Sequence, residues 1–248
     1  MTGRLAWITG ASTGIGRALA LRLARDGWRV AASARGADAL ERLEDENAAI
    51  RAFPLDVTDA AGAARVVGEI EGELGAIDLV VANAGTHAPT PADAFDAAAV
   101  RRLIEINLIG ATNTLAAAMP SMIARKGGHI AIVASVAGYR GLPGAAAYSA
   151  TKAGLIALAE GLKFDLDRAG VKIQVINPGF VRTPLTDRND FPMPFLMEVD
   201  EAAGRIVHGL AGSAFEIAFP RRLAWMLKFA ALLPDRLYFP LVAKATGA

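Results

Sequence analysis

Cysteine is absent from this sequence of 248 residues, and histidine occurs only three times, at positions 87, 129 and 208. Without thiols the chain can form no disulfide bond, thiolate nucleophile or cysteine-ligated metal site. The histidines are scattered along the sequence, so we expect no metal cluster. Charge of one sign is not in excess either, because 26 basic and 25 acidic residues give a net charge of +1. No basic run stands out, so nucleic acid is not an expected partner.

A leader sequence is not evident at the N-terminus. Residues 1–4 run directly into the apolar segment Leu5–Thr9, which is too short for a signal peptide and lacks a cleavage site. We therefore expect a cytoplasmic protein. The hydrophobic content of 53% allows a large core. No linker, low-complexity stretch or repeat divides the chain, so one main domain is the simplest expectation.

Short apolar runs alternate with amphipathic stretches along the chain. The predicted strands are Leu5–Ile8, Trp28–Ala32, Ile50–Leu55, Ile77–Ala82, His129–Ala134, Val171–Ile176 and Phe215–Phe219. The predicted helices are Ile15–Asp26, Ala37–Asn47, Ala60–Leu74, Ala97–Arg125, Tyr148–Ala169 and Glu201–Leu210. Strands that alternate with helices indicate a parallel sheet covered on both faces. The sequence thus predicts an α/β protein, a doubly wound Rossmann fold with about seven strands.

A glycine-rich turn follows the first predicted strand. It reads Thr9-Gly10-Ala11-Ser12-Thr13-Gly14-Ile15-Gly16 and precedes a predicted helix. Glycines let the backbone approach a pyrophosphate, and the N–H groups of the helix N-terminus attract the phosphates. The G-x-x-x-G-x-G spacing is one residue longer than the common dinucleotide fingerprint. A plain strand-to-helix connection is therefore an alternative.

The end of the second predicted strand bears on the choice of dinucleotide. Sites that prefer NAD place a carboxylate there for the ribose 2′-hydroxyl. This chain has Ser33-Ala34-Arg35 instead, and a guanidinium can pair with a 2′-phosphate. We therefore expect NADP(H) to be preferred over NAD(H). The alternative is that Arg35 is an ordinary solvated charge.

A serine, a tyrosine and a lysine form the candidate catalytic group. Ser135 ends the fifth predicted strand, and Tyr148 and Lys152 lie four residues apart on one helix face. An ammonium near a phenol favours the phenolate, so we expect Lys152 to lower the pKa of Tyr148. A tyrosine tuned in this way can exchange a proton with a carbonyl or an alcohol.

These features, taken in order, resemble the short-chain dehydrogenase/reductase family over residues 4 to about 210. The resemblance is carried by the glycine-rich turn, Asp56-Val57, Asn83-Ala84-Gly85, the set Ser135, Tyr148 and Lys152, and Pro178-Gly179-Phe180-Val181-x-Thr183. It implies a Rossmann fold and an NAD(P)-dependent oxidoreductase that acts on CH–OH groups.

The resemblance also implies a role for each motif. Tyr148 would be the general acid, Ser135 would hold the carbonyl oxygen, and Lys152 would bind the nicotinamide ribose. Asn107 would anchor a proton-relay water, although it and Ser135 could each have a purely structural role. The cofactor-binding residues would be Gly10, Ser12, Thr13, Gly14, Ile15, Gly16, Arg35, Asp56, Val57, Asn83, Ala84, Gly85, Tyr148, Lys152, Pro178, Gly179, Val181 and Thr183.

Three features depart from the family pattern or lie outside it. Many members that use NADP carry a basic residue where this chain has Thr13, and the family often has a second asparagine beside Asn83. His87 could overhang the cleft, but we expect it to be solvated. Arg140, Arg182 and Arg188 are the arginines close enough to the site to clamp an anionic substrate, although no clamp is evident.

The C-terminal half contains two further predicted regions. Residues 1–220 would form the Rossmann domain, with a mobile lid at 184–199 whose apolar side chains, including Phe191, Pro192 and Met197, suggest an apolar substrate. Alternatively, these side chains complete the core. Residues 221–248 would be an apolar and basic helical extension. We expect it to pack on its own domain or on a partner subunit, with contact to a membrane surface as the less favoured alternative.

These observations predict an NADP(H)-dependent enzyme that interconverts a carbonyl and an alcohol by hydride transfer. The family suggests a homodimer formed through the helices Ala97–Arg125 and Tyr148–Ala169. Two other functions stay open: a catalytically silent NADP(H)-binding regulatory protein, and a membrane-surface reductase of lipid-like substrates.

Overall fold

One parallel sheet forms the centre of the structure, a computed structural model that describes residues 3–188 and 193–247. Within these ranges seven strands lie in the order β3-β2-β1-β4-β5-β6-β7, and every neighbouring pair is parallel. The strands are β1 (Leu5–Thr9), β2 (Arg29–Ser33), β3 (Ile50–Ala52), β4 (Leu79–Ala82), β5 (His129–Val133), β6 (Lys172–Pro178) and β7 (Glu216–Phe219). The predicted doubly wound α/β fold is confirmed.

Helices cover both faces of this sheet. They are α1 (Gly14–Arg25), α2 (Ala37–Glu46), α3 (Ala60–Leu74), α4 (Ala97–Ile104), α5 (Gly110–Ala124), α6 (Ala146–Arg168), α7 (Val199–Ala211), α8 (Arg221–Ala231) and α9 (Asp235–Thr246). Leu19, Leu40 and Ile206 bring α1, α2 and α7 into one buried cluster with alternate strand residues. Val66 and Leu155 bring α3 and α6 into the cluster on the opposite face. The strands are buried on both faces, which explains their continuously apolar sequences.

The long helix that the sequence predicts over Ala97–Arg125 is interrupted. A π-helical turn, Glu105–Ile109, separates α4 from α5. Single π turns are frequent at functional sites, and here the turn carries Asn107, whose side chain is fully buried. The prediction of one continuous helix is therefore wrong, since hydrophobic periodicity does not reveal one extra residue in a turn.

The strand order places the site. From β1 the chain moves outward to β2 and β3, and then returns to place β4 on the other side of β1. In an open α/β sheet, the crevice at the carboxyl ends of the strands beside this reversal is where ligands bind. The glycine-rich turn follows β1 and the Asn83 motif follows β4, so both lie at this crevice.

Candidate active site

A cavity of about 640 Å³ opens at the carboxyl ends of the central strands. Ser135, Tyr148 and Lys152 line it, whereas Asn107 does not. The predicted cofactor residues that line it are Gly10, Ser12, Thr13, Gly14, Ile15, Gly16, Arg35, Asp56, Val57, Asn83, Ala84, Gly85, Tyr148, Lys152, Pro178, Gly179, Val181 and Thr183. The fold therefore gathers all five sequence motifs around one cavity.

Close packing fixes the glycine-rich turn. A Cβ added to Gly16 would lie 2.3 Å from the carbonyl oxygen of Gly10 and 2.5 Å from Nδ2 of Asn83, so no larger residue fits. Asn83 Nδ2 donates hydrogen bonds to the carbonyl oxygens of Thr9 and Gly10, at 2.9 and 3.2 Å. Oγ1 of Thr9 accepts from the N–H groups of Asn83 and Ala84. The ends of β1 and β4 are thus joined into one rigid wall.

The N-terminus of α1 is suited to hold an anion. Thr13 occupies the N-cap position, but its side chain makes no capping hydrogen bond. The first turn of α1 contains no acidic residue. Its N–H groups and the positive end of the helix dipole therefore face the cavity without an internal negative partner. This is the local chemistry that a pyrophosphate requires.

Charged side chains mark the far end of the cavity, where β2 and β3 end. Arg35 is exposed and lines the cavity wall. Asp56 accepts hydrogen bonds at Oδ1 from the N–H and the hydroxyl of Thr58, at 3.0 and 2.8 Å. These bonds hold the pKa of Asp56 below its ordinary value, with a smaller contribution from the charge of Arg35. Asp56 is therefore a rigid, ionised acceptor.

Ser135 and Tyr148 both line the cavity. Ser135 follows β5, and its Oγ accepts the N–H of Ala137 at 3.1 Å and donates to the carbonyl oxygen of Pro178 at 3.3 Å. The Tyr148 side chain lines the same cavity. Burial raises the pKa of Tyr148, and the hydrogen bond to Ser135 opposes this only in part. The expected lowering of the tyrosine pKa by Lys152 is not produced by the residues of the chain alone.

The position of Lys152 explains this result. Its side chain is 4% exposed, and Nζ donates to the carbonyl oxygen of Val133 at 2.9 Å. Nζ lies 5.6 Å from the centre of the Tyr148 ring and makes no hydrogen bond to the phenol. Burial lowers the pKa of Lys152 to about 8, so the ammonium is largely retained at neutral pH. The lysine is therefore a buried cation held beside the tyrosine.

Asn107 lies behind the cavity wall. Its Oδ1 accepts the N–H of Thr86 at 2.7 Å, and its Nδ2 donates to the carbonyl oxygen of Thr86 and to Oγ1 of Thr151, at 2.9 and 3.1 Å. The amide is thus satisfied by the protein, which agrees with the structural alternative for this residue. A Cβ added to Gly85 would lie 3.3 Å from Oδ1 of Asn107 and 3.6 Å from Nζ of Lys152. A water-anchoring role for Asn107 is a prediction that this geometry does not test.

His87 belongs to the site, and the expectation that it is solvated is wrong. Its ring meets that of Tyr148 edge to face, with ring centres 4.9 Å apart. Burial lowers its pKa, and Nδ1 is buried without a hydrogen-bond partner among the described residues. Sequence reasoning also missed four residues, mostly apolar, from α4 and the π turn that line the cavity: Ala99, Arg102, Leu103 and Ile106.

The arginines considered as substrate clamps have other partners. Arg140 donates to the carbonyl oxygens of Ala231 and Leu233 and pairs with Asp235, so it faces the C-terminal extension. Arg182 pairs with Glu198 at 2.9 Å. The side chain of Arg188 lies outside the described residues.

The predicted lid is divided by the structure. Pro184 and Leu185 line the cavity. Met197 is instead buried in the core cluster beside α7, which agrees with the alternative that some apolar side chains complete the core. Phe191 and Pro192 lie outside the described residues. Motion of residues 184–199 stays a prediction.

The fold and this cavity define an NAD(P)-type oxidoreductase scaffold, and comparison with known proteins supplies the family. The family model for short chain dehydrogenases matches residues 4–191. This chain therefore belongs to the short-chain dehydrogenase family, and the predicted resemblance is confirmed.

Individual relatives agree with this assignment. An uncharacterized oxidoreductase from Myxococcus xanthus is 44% identical over 242 residues, which cover 96% of each chain. The structure of a short-chain dehydrogenase from Streptomyces avermitilis has a TM-score of 0.84 at 26% identity and covers 98% of this chain and 97% of its own. An alcohol dehydrogenase from Thermococcus sibiricus in complex with 5-hydroxy-NADP has a TM-score of 0.79 at 28% identity, covering 87% and 95%. The chain is an oxidoreductase.

Proposed function

We propose that this protein is an NADP(H)-dependent reductase or dehydrogenase that interconverts an apolar carbonyl compound and its alcohol. The observation that carries the proposal is that Ser135, Tyr148, the buried Lys152 and the glycine-rich turn line one cavity. The dinucleotide, when bound, supplies or accepts the hydride. The residues of the chain bind and orient both reactants and move the proton.

The binding roles follow from the positions of the groups. The free N–H groups at the start of α1 would hold the pyrophosphate, and Arg35 would pair with a 2′-phosphate. Lys152 would donate to the nicotinamide ribose hydroxyls. The related Thermococcus sibiricus enzyme was solved with a nucleotide of the NADP type, which supports the same preference here.

The proton roles follow from the hydrogen bonds. In the reductive direction Tyr148 would donate its phenolic proton to the carbonyl oxygen as hydride arrives at the carbon. Ser135, which lines the same cavity as Tyr148, would hold that oxygen. In the chain without a bound dinucleotide, burial keeps the Tyr148 phenol protonated. A charge that the dinucleotide adds close to Lys152 and Tyr148 would set the pKa of this phenol during the reaction.

Part of the cavity wall suits an apolar substrate. Ala99, Leu103, Ile106 and Leu185 present hydrocarbon to the cavity, and His87 contributes the edge of an aromatic ring against Tyr148. Pockets with mostly apolar walls and a few placed polar groups favour apolar ligands with one polar centre. A ketone or aldehyde on a hydrocarbon frame fits this description.

The assembly is proposed to be a homodimer through α4, α5 and α6. Ile104 and Ile109, around the π turn, and Phe164 on α6 are exposed apolar side chains on these helices. Multi-angle light scattering of the protein and of Phe164→Ser would test this proposal, since loss of the interface should shift the mass from two chains to one. The cytoplasmic location expected from the sequence stays a prediction.

The function is tested by titrating the protein with NADPH and NADH, followed by assays on a panel of apolar ketones and aldehydes. We expect tighter binding of NADPH and consumption of NADPH in the presence of some members of the panel. Binding without turnover across a broad panel would favour the silent regulatory alternative. Failure to bind either nucleotide would contradict the proposal.

A further inference from the structure

The outward side of α8 and α9 exposes an unusual number of large apolar side chains. This tail surface consists of Trp225, Met226, Phe229, Leu232, Leu237, Phe239 and Leu241. Phe229 is 65% exposed and Leu232 is 81% exposed. Monomeric proteins rarely leave a large apolar patch in water, and such patches mark interaction sites.

The exposure follows from the way in which α8 packs. Leu223 and Ala224 are buried against Val136, next to Ser135, and hold the inner face of the helix on the domain. Trp225 and Phe229, which are four residues apart, share the opposite face. The inner side of α8 therefore packs on the domain. The apolar outer side does not, so its burial requires a different partner.

Helix α9 is fixed to the domain mainly at one point. Tyr238 is 2% exposed, donates to the carbonyl oxygen of Gly141 at 2.7 Å, and lies under the guanidinium of Arg140. Leu237, Phe239 and Leu241 are each at least half exposed. Helix α9 thus adds further exposed apolar side chains to those of α8.

Charge distinguishes the extension from the rest of the protein. Residues 221–248 contain five basic residues and one acidic residue, a net charge of +4, whereas the whole chain carries +1 and residues 1–220 therefore carry −3. The acidic residue, Asp235, is paired with Arg140, and Lys228 is paired with Glu216. Four exposed basic residues without an ion-pair partner in the described part of the chain flank the tail surface: Arg221, Arg222, Arg236 and Lys244.

We propose that the tail surface binds the surface of an anionic lipid bilayer. Exposed Trp, Phe and Leu side chains rimmed by Arg and Lys are the composition of helices that lie in the membrane interface, with apolar groups inserted and cations at the headgroups. Within the described residues, no helix is long and apolar enough to cross a membrane. In this proposal α8 and α9 lie along the bilayer surface.

A second copy of the chain fits this surface less well. A symmetric dimer places the same patch of two chains face to face, so two extensions that each carry a net charge of +4 would meet. Like charges brought together oppose association. The homodimer proposed above uses α4, α5 and α6, which leaves the tail surface available.

Bilayer binding would bring the cavity close to the lipid. Strand β7 ends at Phe219, on the carboxyl edge of the sheet where the cavity opens, and α8 begins two residues later. Leu223 of α8 also touches the backbone at Gly179, which lines the cavity. The inference about binding does not depend on catalysis, so it can be tested separately from the proposed reaction.

The experiment is flotation of the full-length protein with vesicles of phosphatidylcholine alone, and of phosphatidylcholine with one third phosphatidylglycerol. One variant, Trp225→Ser with Phe229→Ser, removes outer apolar groups, and a second, Arg221→Glu with Arg222→Glu, reverses exposed charges. Phe95→Ser, and Arg25→Glu with Arg42→Glu, are the controls, because they change an exposed ring and two exposed arginines outside the extension. Circular dichroism establishes that each variant is folded.

We expect binding to the anionic vesicles, weakened by high salt. A basic residue near an anionic surface contributes about fivefold to partitioning, so reversal of two should lower it at least about 25-fold. The serine variant should also lose binding, and both controls should retain it. No binding to anionic vesicles, or equal loss in the controls, would overturn the proposal. A switch from oligomer to monomer in the Trp225→Ser, Phe229→Ser variant would overturn it in favour of a second copy.

Discussion

The contact between Gly16 and Gly10 gives the sharpest prediction for the cofactor turn. In Gly16→Ala the new Cβ would lie 2.3 Å from the carbonyl oxygen of Gly10 and 2.5 Å from Nδ2 of Asn83. Ordinary contacts begin near 3.4 Å, so one partner must move by about 1 Å. The atoms that must move are those that join β1 to β4, because Asn83 Nδ2 donates to the carbonyl oxygens of Thr9 and Gly10.

The magnitude follows from two costs. Overpacking of a well-packed interior destabilises by about 1–3 kcal/mol. Weakening one of the Asn83 hydrogen bonds adds about 1 kcal/mol. We therefore expect Gly16→Ala to lower the free energy of unfolding by about 2–4 kcal/mol. The turn is also displaced from the pyrophosphate position, so dinucleotide affinity should fall at least about tenfold, equivalent to a loss of ~1.4 kcal/mol.

The measurements are urea denaturation and NADPH titration, with Gly68→Ala as the control. Gly68 lies inside α3, and a Cβ there would meet nothing within 4 Å. Alanine should therefore stabilise this helix by about 0.5–1 kcal/mol and leave NADPH affinity unchanged. Wild-type stability and affinity in Gly16→Ala would refute the claim that close packing requires glycine at this position.

Three further predictions concern charge. Arg35→Asp should shift the ratio of kcat/KM for NADPH over NADH towards NADH by at least about tenfold, since a carboxylate repels the 2′-phosphate and accepts from a 2′-hydroxyl. Burial and the charge of Lys172 lower the pKa of His129 to about 4. As the pH falls, the unfolded chain therefore binds a proton at this histidine before the folded chain does, and the free energy of unfolding should fall by about 2 kcal/mol between pH 7 and pH 5. The variant His129→Gln should not show this fall. Glu216→Ala should cost about 2 kcal/mol in urea denaturation, because it leaves Lys228 and Tyr139 without their carboxylate.

Each of these has a contradicting result. An unchanged nucleotide ratio in Arg35→Asp would show that Arg35 does not select the cofactor. Parallel pH–stability curves for His129→Gln and the wild type would remove His129 from the acid response. For Glu216, burial opposes ionisation, but hydrogen bonds from Lys228, Tyr139 and Asn177 hold its pKa below the ordinary value. If Glu216→Ala is as stable as the wild type, this cluster does not hold α8 in place.

Most of the fold could be predicted because its determinants are local. Strands covered on both faces of the sheet are apolar at every position. Glycine at position 16 is required in part by the carbonyl oxygen of Gly10, which is close in sequence. The helix α3 has the bounds predicted for it, Ala60–Leu74. The sequence predicts that the third strand reaches Leu55, but the strand ends at Ala52. Beyond it, the N–H groups of Phe53 and Leu55 donate to the carbonyl oxygens of Ala32 and Ala34, but the regular strand ladder does not continue.

The missed features depend on contacts between residues distant in sequence. Arg140 and Tyr238 are about a hundred positions apart, and nothing in either segment indicates that the guanidinium stacks on the ring. The contact of His87 with Tyr148 likewise appears only when the segment after β4 is folded over α6. The only sequence signal for the π turn was the polar Asn107 within an apolar stretch.

The central claim is that Tyr148 transfers the proton, and it is tested most directly by single-turnover reduction of a carbonyl substrate by Tyr148→Phe loaded with NADPH. We expect NADPH affinity close to that of the wild type and a rate of hydride transfer lower by at least about 10²-fold, the usual scale for loss of a general acid. An unchanged rate of hydride transfer in Tyr148→Phe would contradict the account.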